Sequence, residues 1–277
     1  MNPMIRKELR QRMRERRGWL LPSLYLLVLG AVVTFAYFIT TTERPGSGIQ
    51  GSTVGVVLFL TLAYSQLAML LLLVPVFSAG SITIEKEQRT LAGLLTSLLT
   101  SVQIWWGKFV SSLLFVLLLL VTSLPVLSMA FAFGGIGPWE VFSATLTTMI
   151  ILACMSAIGL YCSSVFQRSV HATAVSYAIV IVISVVTTVV FFVRMQIYQS
   201  AHHLTATHGW YGIPLNIRAP MYVNPFFFLT ASFAPPKQLY PAWITCALVF
   251  IALSVLAVAL TLRNLRHRGD VLSLIHI

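Results

Sequence analysis

The sequence predicts an all-α integral membrane protein with six transmembrane helices. Only 9% of its 277 residues are charged and 58% are hydrophobic. A soluble domain carries about 25% charged residues, so these charges are too few to cover a water-exposed surface. Six segments also reach the roughly 20 apolar residues that a helix needs to cross a bilayer.

The six predicted spans belong to one transmembrane domain, residues 19–262. Their approximate bounds are 19–41, 54–78, 109–133, 141–166, 169–193 and 242–262. Pro22, Pro75 and Pro125 fall inside or near span ends. We expect them to kink the helices rather than break them, because neighbouring helices satisfy freed carbonyls in a membrane. Span one lacks a small-residue cleavage site, so we expect it to stay attached.

Lysine and arginine are divided unequally between the two sides of the predicted bundle. They are concentrated before span one, in residues 79–108, between spans four and five, and in a tail at 263–271. The other side, which includes a long loop at 194–241, carries only Arg44, Arg194, Arg218 and Lys237. Because positive loops stay in the cytoplasm, both termini are predicted to be cytoplasmic.

The net charge of +11 predicts contact with membrane lipids rather than with nucleic acid. The basic residues flank apolar runs, where they suit anionic headgroups, and no compact basic domain is available for nucleic acid. In residues 1–18, Ile5, Leu9 and Met13 recur every four residues on a cationic background. This spacing fits an amphipathic helix in the headgroup plane. An ordinary basic flank explains the composition equally well.

The loop between spans two and three, residues 79–108, has the most informative pattern. Charges cluster at its start, and leucines then recur at the spacing of a helix about two turns long. Such a helix can present one face to a cytoplasmic partner, although a solvated connecting helix has the same pattern. The residues that carry the pattern are Glu85, Lys86, Glu87, Arg89, Thr90, Leu91, Leu94, Leu95, Thr96, Leu98 and the later pair Gly107-Lys108.

This order of residues resembles the cytoplasmic loop of ABC-2 type permeases, the membrane subunits of one class of ABC exporter. Asn2-Pro3 and the run Lys7-Glu8-Leu9-Arg10 are also similar to the amino-terminal helix of that family. Ser97 stands where the family usually has proline, so we expect a looser turn after the short helix.

The resemblance implies a permease subunit that forms half of a transmembrane pathway in a bacterial inner membrane. It implies two partners, which are a separate ABC ATPase subunit that binds ATP and Mg²⁺ and a second permease copy, identical or not. The loop would be the ATPase-coupling site. Glu85, Glu87 and Arg89 would make polar contacts, with Lys86 and Thr90 in the same motif, and Leu91, Leu94 and Leu95 would seat the coupling helix.

Several absences argue against other classes of protein. Gly107-Lys108 is followed by Phe109, and Val102 stands where a phosphate-binding loop needs glycine. We therefore expect no ATP hydrolysis and no cofactor in this chain. No acidic or basic residue lies in the middle of a predicted span, as an ion-coupled carrier or intramembrane enzyme usually requires. A non-transporting membrane anchor or assembly factor, and an ATP-independent carrier, remain the alternatives.

The long outer loop contains the aromatic run Tyr222-Val-Asn-Pro-Phe-Phe-Phe228. The run suits a short helix that re-enters the outer leaflet, and it suits a lipid-surface anchor equally well. His202, His203 and His208 lack a nearby carboxylate or cysteine, so no metal site is predicted. Three cysteines, Cys154, Cys162 and Cys246, are interpreted as small buried hydrophobes.

The last six residues, 272–277, read Leu-Ser-Leu-Ile-His-Ile. The codons CTG TCT CTT ATA CAC ATC would encode them, and these reproduce a transposon end used to prepare sequencing libraries. We expect residues 272–277 to be a sequencing artefact rather than a native part of the chain.

Overall fold

The computed structural model describes residues 17–42, 51–88, 101–202, 214–233 and 236–275. Within these ranges the chain forms helices and turns, and no strand occurs there. Six of the described helices are long and apolar enough to cross a membrane, which confirms the predicted fold class. Residues 1–16 and 89–100 lie outside the described ranges, so the amino-terminal surface helix and the leucine-rich coupling helix remain predictions.

The six spans follow one another along the chain. Spans one to four are Arg17–Thr42, Gly51–Ser78, Ser101–Ser128 and Pro138–Val165. Span five consists of Ser169–Ile181, a π-helical segment Val182–Val186, and Thr187–His202. Span six lies in Pro236–Ile275.

Short elements connect the spans at both ends. The loop helix, Thr83–Glu87, follows span two, and a 3₁₀ turn, Met129–Phe133, follows span three. Leu215–Arg218 and the 3₁₀ turn Ala219–Val223 precede a helix at Pro225–Phe233, which we call the aromatic helix.

Several helices extend beyond the apolar stretches. The third begins at Ser101, so Gly107 and Lys108 lie within it rather than in the loop before it. Ile104 and Trp105 are almost fully buried, and this packing supports the extra turns. The sixth helix likewise continues through the predicted tail. The helices also run through Pro22, Pro75 and Pro125, as expected.

Span four is the most buried of the six and lies at the centre of the bundle. In its most apolar stretch 56% of residues are buried, compared with 11% in span one. It packs against spans two, three, five and six and against the aromatic helix. A hydrogen bond links it to span three, with Ser112 Oγ and Ser156 Oγ 3.0 Å apart. Another links it to span six, where Trp243 Nε1 donates to Thr147 Oγ1 at 2.9 Å.

Spans two and four approach each other closely at Gly159. A Cβ atom there would overlap Ser78 Oγ and lie 2.8 Å from Ser78 Cβ, so no larger residue fits without movement. Ser78 is the last residue of span two. The contact therefore fixes the point at which the chain leaves span two for the loop helix.

The aromatic helix is inserted into the bundle rather than placed on its surface. Phe227, Phe228 and Leu229 are buried members of the main core. Phe228 stacks on Phe250 of span six, with ring centroids 5.3 Å apart. A lipid-surface anchor would leave these side chains exposed, so their burial favours the re-entering interpretation of this run.

Candidate functional site

The candidate site is the segment that joins span two to the predicted coupling helix. We call residues 79–88 the docked segment, because backbone amides in this segment form hydrogen bonds with span four. Ile82 and Thr83 are fully buried, and their amide groups donate to Ser163 Oγ at 2.9 and 3.0 Å. The first amides of a helix have no partner within it. The hydroxyl of a span-four residue therefore satisfies the start of the loop helix.

Lys86 binds the end of span four. Its ammonium group donates to the carbonyl oxygens of Ser163, Ser164 and Phe166, each at 2.7 Å. The last carbonyls of a helix lack partners and carry partial negative charge, so a cation is favoured there. Lys86 uses all three of its donors on this helix end.

Glu87, the next residue, binds the start of span five. Its Oε1 accepts from the amide of Ser169 at 2.6 Å and from Ser169 Oγ at 2.9 Å. The hydrogen bond from the Ser169 amide lowers the pKa of the Glu87 carboxyl most, and the hydrogen bond from the Ser169 hydroxyl lowers it further. The positive charge of Arg168 has a smaller effect in the same direction. Glu87 is therefore ionised at neutral pH, and its charge is favourable at a helix amino terminus.

Two adjacent residues of opposite charge thus bind two adjacent helix ends. Lys86 meets the negative end of span four, and Glu87 meets the positive end of span five. Only the short connection 166–168 separates those ends. The pair fixes the turn between spans four and five to the docked segment.

Glu85 binds span three. Its Oε1 lies 2.8 Å from Lys108 Nζ, and the side chains are 22% and 2% exposed, respectively. Lys108 Nζ also donates to the carbonyl of Ser81, at 2.7 Å. One lysine of span three therefore holds the docked segment at two points. A buried ammonium needs such partners, because its isolated desolvation would be costly.

Apolar packing reinforces these polar contacts. Ile82 belongs to a small cluster with Trp105 of span three, Leu160 of span four and Leu265 of the sixth helix. The Trp105 ring stacks on that of Phe109, with centroids 4.8 Å apart. The docked segment consequently contacts spans three, four and six by packing or hydrogen bonding, and Glu87 extends this set to span five.

A family model for ABC-2 family transporter proteins matches residues 3–267, nearly the entire chain. The chain belongs to the ABC-2 transporter family. This membership confirms the resemblance to ABC-2 type permeases and makes the protein a membrane component, or permease, of an ABC transporter. A comparison with curated proteins finds no match.

In this ABC-2 permease, the structure describes three of the predicted coupling residues. Glu85, Lys86 and Glu87 each have partners inside the chain, on spans three, four and five. The other five lie in the range 89–100, outside the described residues, and their role remains a prediction. They are Arg89, Thr90, Leu91, Leu94 and Leu95.

Sequence reasoning missed the partners of the motif. In the sequence motif Lys108 stands only as part of a Gly-Lys pair, and the motif does not point to Ser163 or Ser169. Ser169 had a recognisable signal, since serine is common where a helix begins. Ser163 had none, because it lies within an apolar span and becomes important only through its position in the fold.

The remaining sequence candidates form no second site within the residues that the structure describes. Cys154, Cys162 and Cys246 are free and buried, in agreement with their interpretation as small hydrophobes. The described part of the chain contains no group of three metal-ligating residues. Two of the three outer-loop histidines, His203 and His208, fall outside that part.

Proposed function

We propose that the chain is the permease subunit of an ABC exporter and that a separate ABC ATPase drives it through the loop between spans two and three. Family membership supports the permease role. The coupling role is supported by one observation. Glu85, Lys86 and Glu87 form an ion pair and hydrogen bonds with three different spans. A segment bonded in this way moves those spans when it moves.

The proposal divides the coupling residues into two groups. Residues Arg89–Leu95 face the ATPase, with Leu91, Leu94 and Leu95 seated in its cleft and Arg89 and Thr90 at the edge. Glu85–Glu87 pass the resulting displacement to the bundle. ATP and Mg²⁺ belong to the ATPase, since this sequence lacks a phosphate-binding loop.

The basic end of the bundle, which includes Lys86, Lys108, Arg168 and Arg263, then lies in the cytoplasm. A bacterial inner membrane is the proposed location, and both termini face the cytoplasm. Six spans supply half of a transport pathway, so a second permease copy supplies the other half. Anionic lipids contact the basic flanks.

Site-specific photo-crosslinking tests the docking half of this proposal. A photo-reactive amino acid replaces Leu94 in the full-length chain, in native membranes, and crosslinked partners are identified by mass spectrometry. We expect a chain that carries a phosphate-binding loop of the form G-x-x-x-x-G-K-[ST]. The matched control places the same amino acid at Leu248, an exposed residue of span six. Equal ATPase yields at both positions, or none at Leu94, would contradict the proposal.

A further inference from the structure

Asn224 joins the aromatic helix to the π-helical segment of span five. This residue is fully buried. Its Nδ2 donates to the carbonyl oxygen of Ser184 at 2.8 Å, and it lies at the same distance from Thr187 Oγ1 and Thr188 Oγ1. These three acceptors belong to span five and lie in or directly after the π-helical segment.

The carbonyl oxygen of the same side-chain amide caps the aromatic helix. Asn224 Oδ1 accepts from the amides of Phe226 and Phe227, at 2.9 and 3.1 Å. Asparagine followed by proline is a favourable helix start, because the side chain satisfies free amides and proline lacks one. One side chain therefore both starts the aromatic helix and holds it against span five.

The π-helical segment needs this partner. A π turn inserts an extra residue into an α-helix and disturbs the regular pairing of backbone groups. In span five the hydroxyls of Thr187 and Thr188 donate to the carbonyls of Ile183 and Ser184, at 2.5 and 2.7 Å. Lipid offers no hydrogen bonds to such groups. The asparagine amide completes this set of bonds.

The π-helical segment also keeps one side of span five facing the bundle. Ala172, Ser176, Val180 and Ser184 are buried and lie four residues apart. In a regular α-helix each such step turns the side chain by about 40° away from the previous one. The wider π turn reduces this rotation of the buried side around the helix axis. Phe191, beyond the π-helical segment, is again buried.

We propose that Asn224 is the positioning residue that holds span five in its π-helical register and makes that register depend on the seating of the aromatic helix. When the aromatic helix withdraws, the amide leaves Ser184, and the segment relaxes to an α-helix. The half of span five beyond it then rotates relative to the first half. In the proposed exporter, which this consequence presupposes, the rotation links the outer end of the bundle to the turn held by Glu87.

The test is a spin-label scan of the full chain in lipid nanodiscs, without any ATPase. Single cysteines at residues 177–197 are labelled, and the accessibility of each label to oxygen is measured. The native cysteines are at most 2% exposed, so unsubstituted protein provides the labelling control. In the native sequence we expect accessibility maxima at Ile181, Val185, Val189 and Phe192, which are exposed in the structure.

Asn224→Ser is the decisive variant, because serine can still cap the aromatic helix but cannot reach Ser184 as an amide does. We expect the maxima beyond residue 186 to shift by about one position relative to those before residue 182. A label at Thr230, on the aromatic helix, should gain mobility in the same variant. Asn224→Ala should give the same shift, and Asn216→Ser, on an exposed neighbour, should give none.

An unchanged pattern in a folded Asn224→Ser protein would overturn the proposal. So would a shift without any change at Thr230, since the two elements would then be independent. If both Asn224 variants fail to fold, Thr188→Val removes only one hydroxyl of the network, and an unshifted scan in that variant would overturn it. Because no ATPase is present, these outcomes do not depend on whether the coupling proposal is right.

Discussion

Glu85→Ala is expected to destabilise the protein by about 3–5 kcal/mol, which is typical when a buried charge loses its ion-pair partner. The alanine removes the carboxylate that lies 2.8 Å from Lys108 Nζ, and the Lys108 side chain is only 2% exposed. Reversible unfolding in mixed detergent micelles measures the change. The physical reason is that the desolvation of the Lys108 ammonium group is no longer offset by the Glu85 carboxylate.

A double-mutant cycle distinguishes the ion pair from a general effect of altering the loop. Lys108→Met alone removes the buried charge, and Glu85→Ala combined with Lys108→Met removes both charges. We expect the double variant to be more stable than the sum of the single effects predicts, because no charge is then left buried alone. Strict additivity would show that the two side chains do not stabilise each other.

Lys86→Met is expected to destabilise the protein by about 1.5–3 kcal/mol, the range for hydrogen bonds that involve a charged group. Methionine keeps most of the apolar stem but cannot donate to the carbonyls of Ser163, Ser164 and Phe166. The end of span four then loses its cation, and the turn to span five loosens. Hydrogen exchange of residues 163–170, measured with the unfolding transition, reports this local change.

Arg263→Met is the matched control, since Arg263 is an exposed basic residue at the same end of the bundle. It should change stability little, as surface charges contribute at most about 1 kcal/mol. Equal effects of the two substitutions would mean that Lys86 acts only through its charge and not through the helix end that it binds.

The sequence predicted the membrane helices well because their signal is local. An uninterrupted apolar run needs no knowledge of its neighbours, and spans two and four matched their runs within a few residues. The third helix began earlier than expected because its first turns are stabilised by contacts of Trp105 with Ile82 and Leu160. Those contacts join distant parts of the chain, which hydropathy along the sequence does not reveal.

The motif in the loop was recognisable, but its contacts were not. The family resemblance implies that Glu85 and Glu87, with Lys86 in the same motif, make polar contacts with the ATPase. Their observed partners lie on three different spans, and Lys86 and Glu87 bind residues about eighty positions away. The Asn224-Pro225 pair is different. It carries a local signal for a helix start, whereas its bonds to span five depend on the fold.

The most direct test of the central claim measures ATP hydrolysis by the permease and its ATPase, reconstituted together in nanodiscs. The native permease is expected to stimulate the ATPase. The Lys86→Met variant should still crosslink to the ATPase through position 94 but lose most of the stimulation of ATP hydrolysis. Without the hydrogen bonds of Lys86, movement of the docked segment is no longer transmitted to the end of span four. Full stimulation by a folded Lys86→Met variant would contradict the claim that the docked segment transmits the motion.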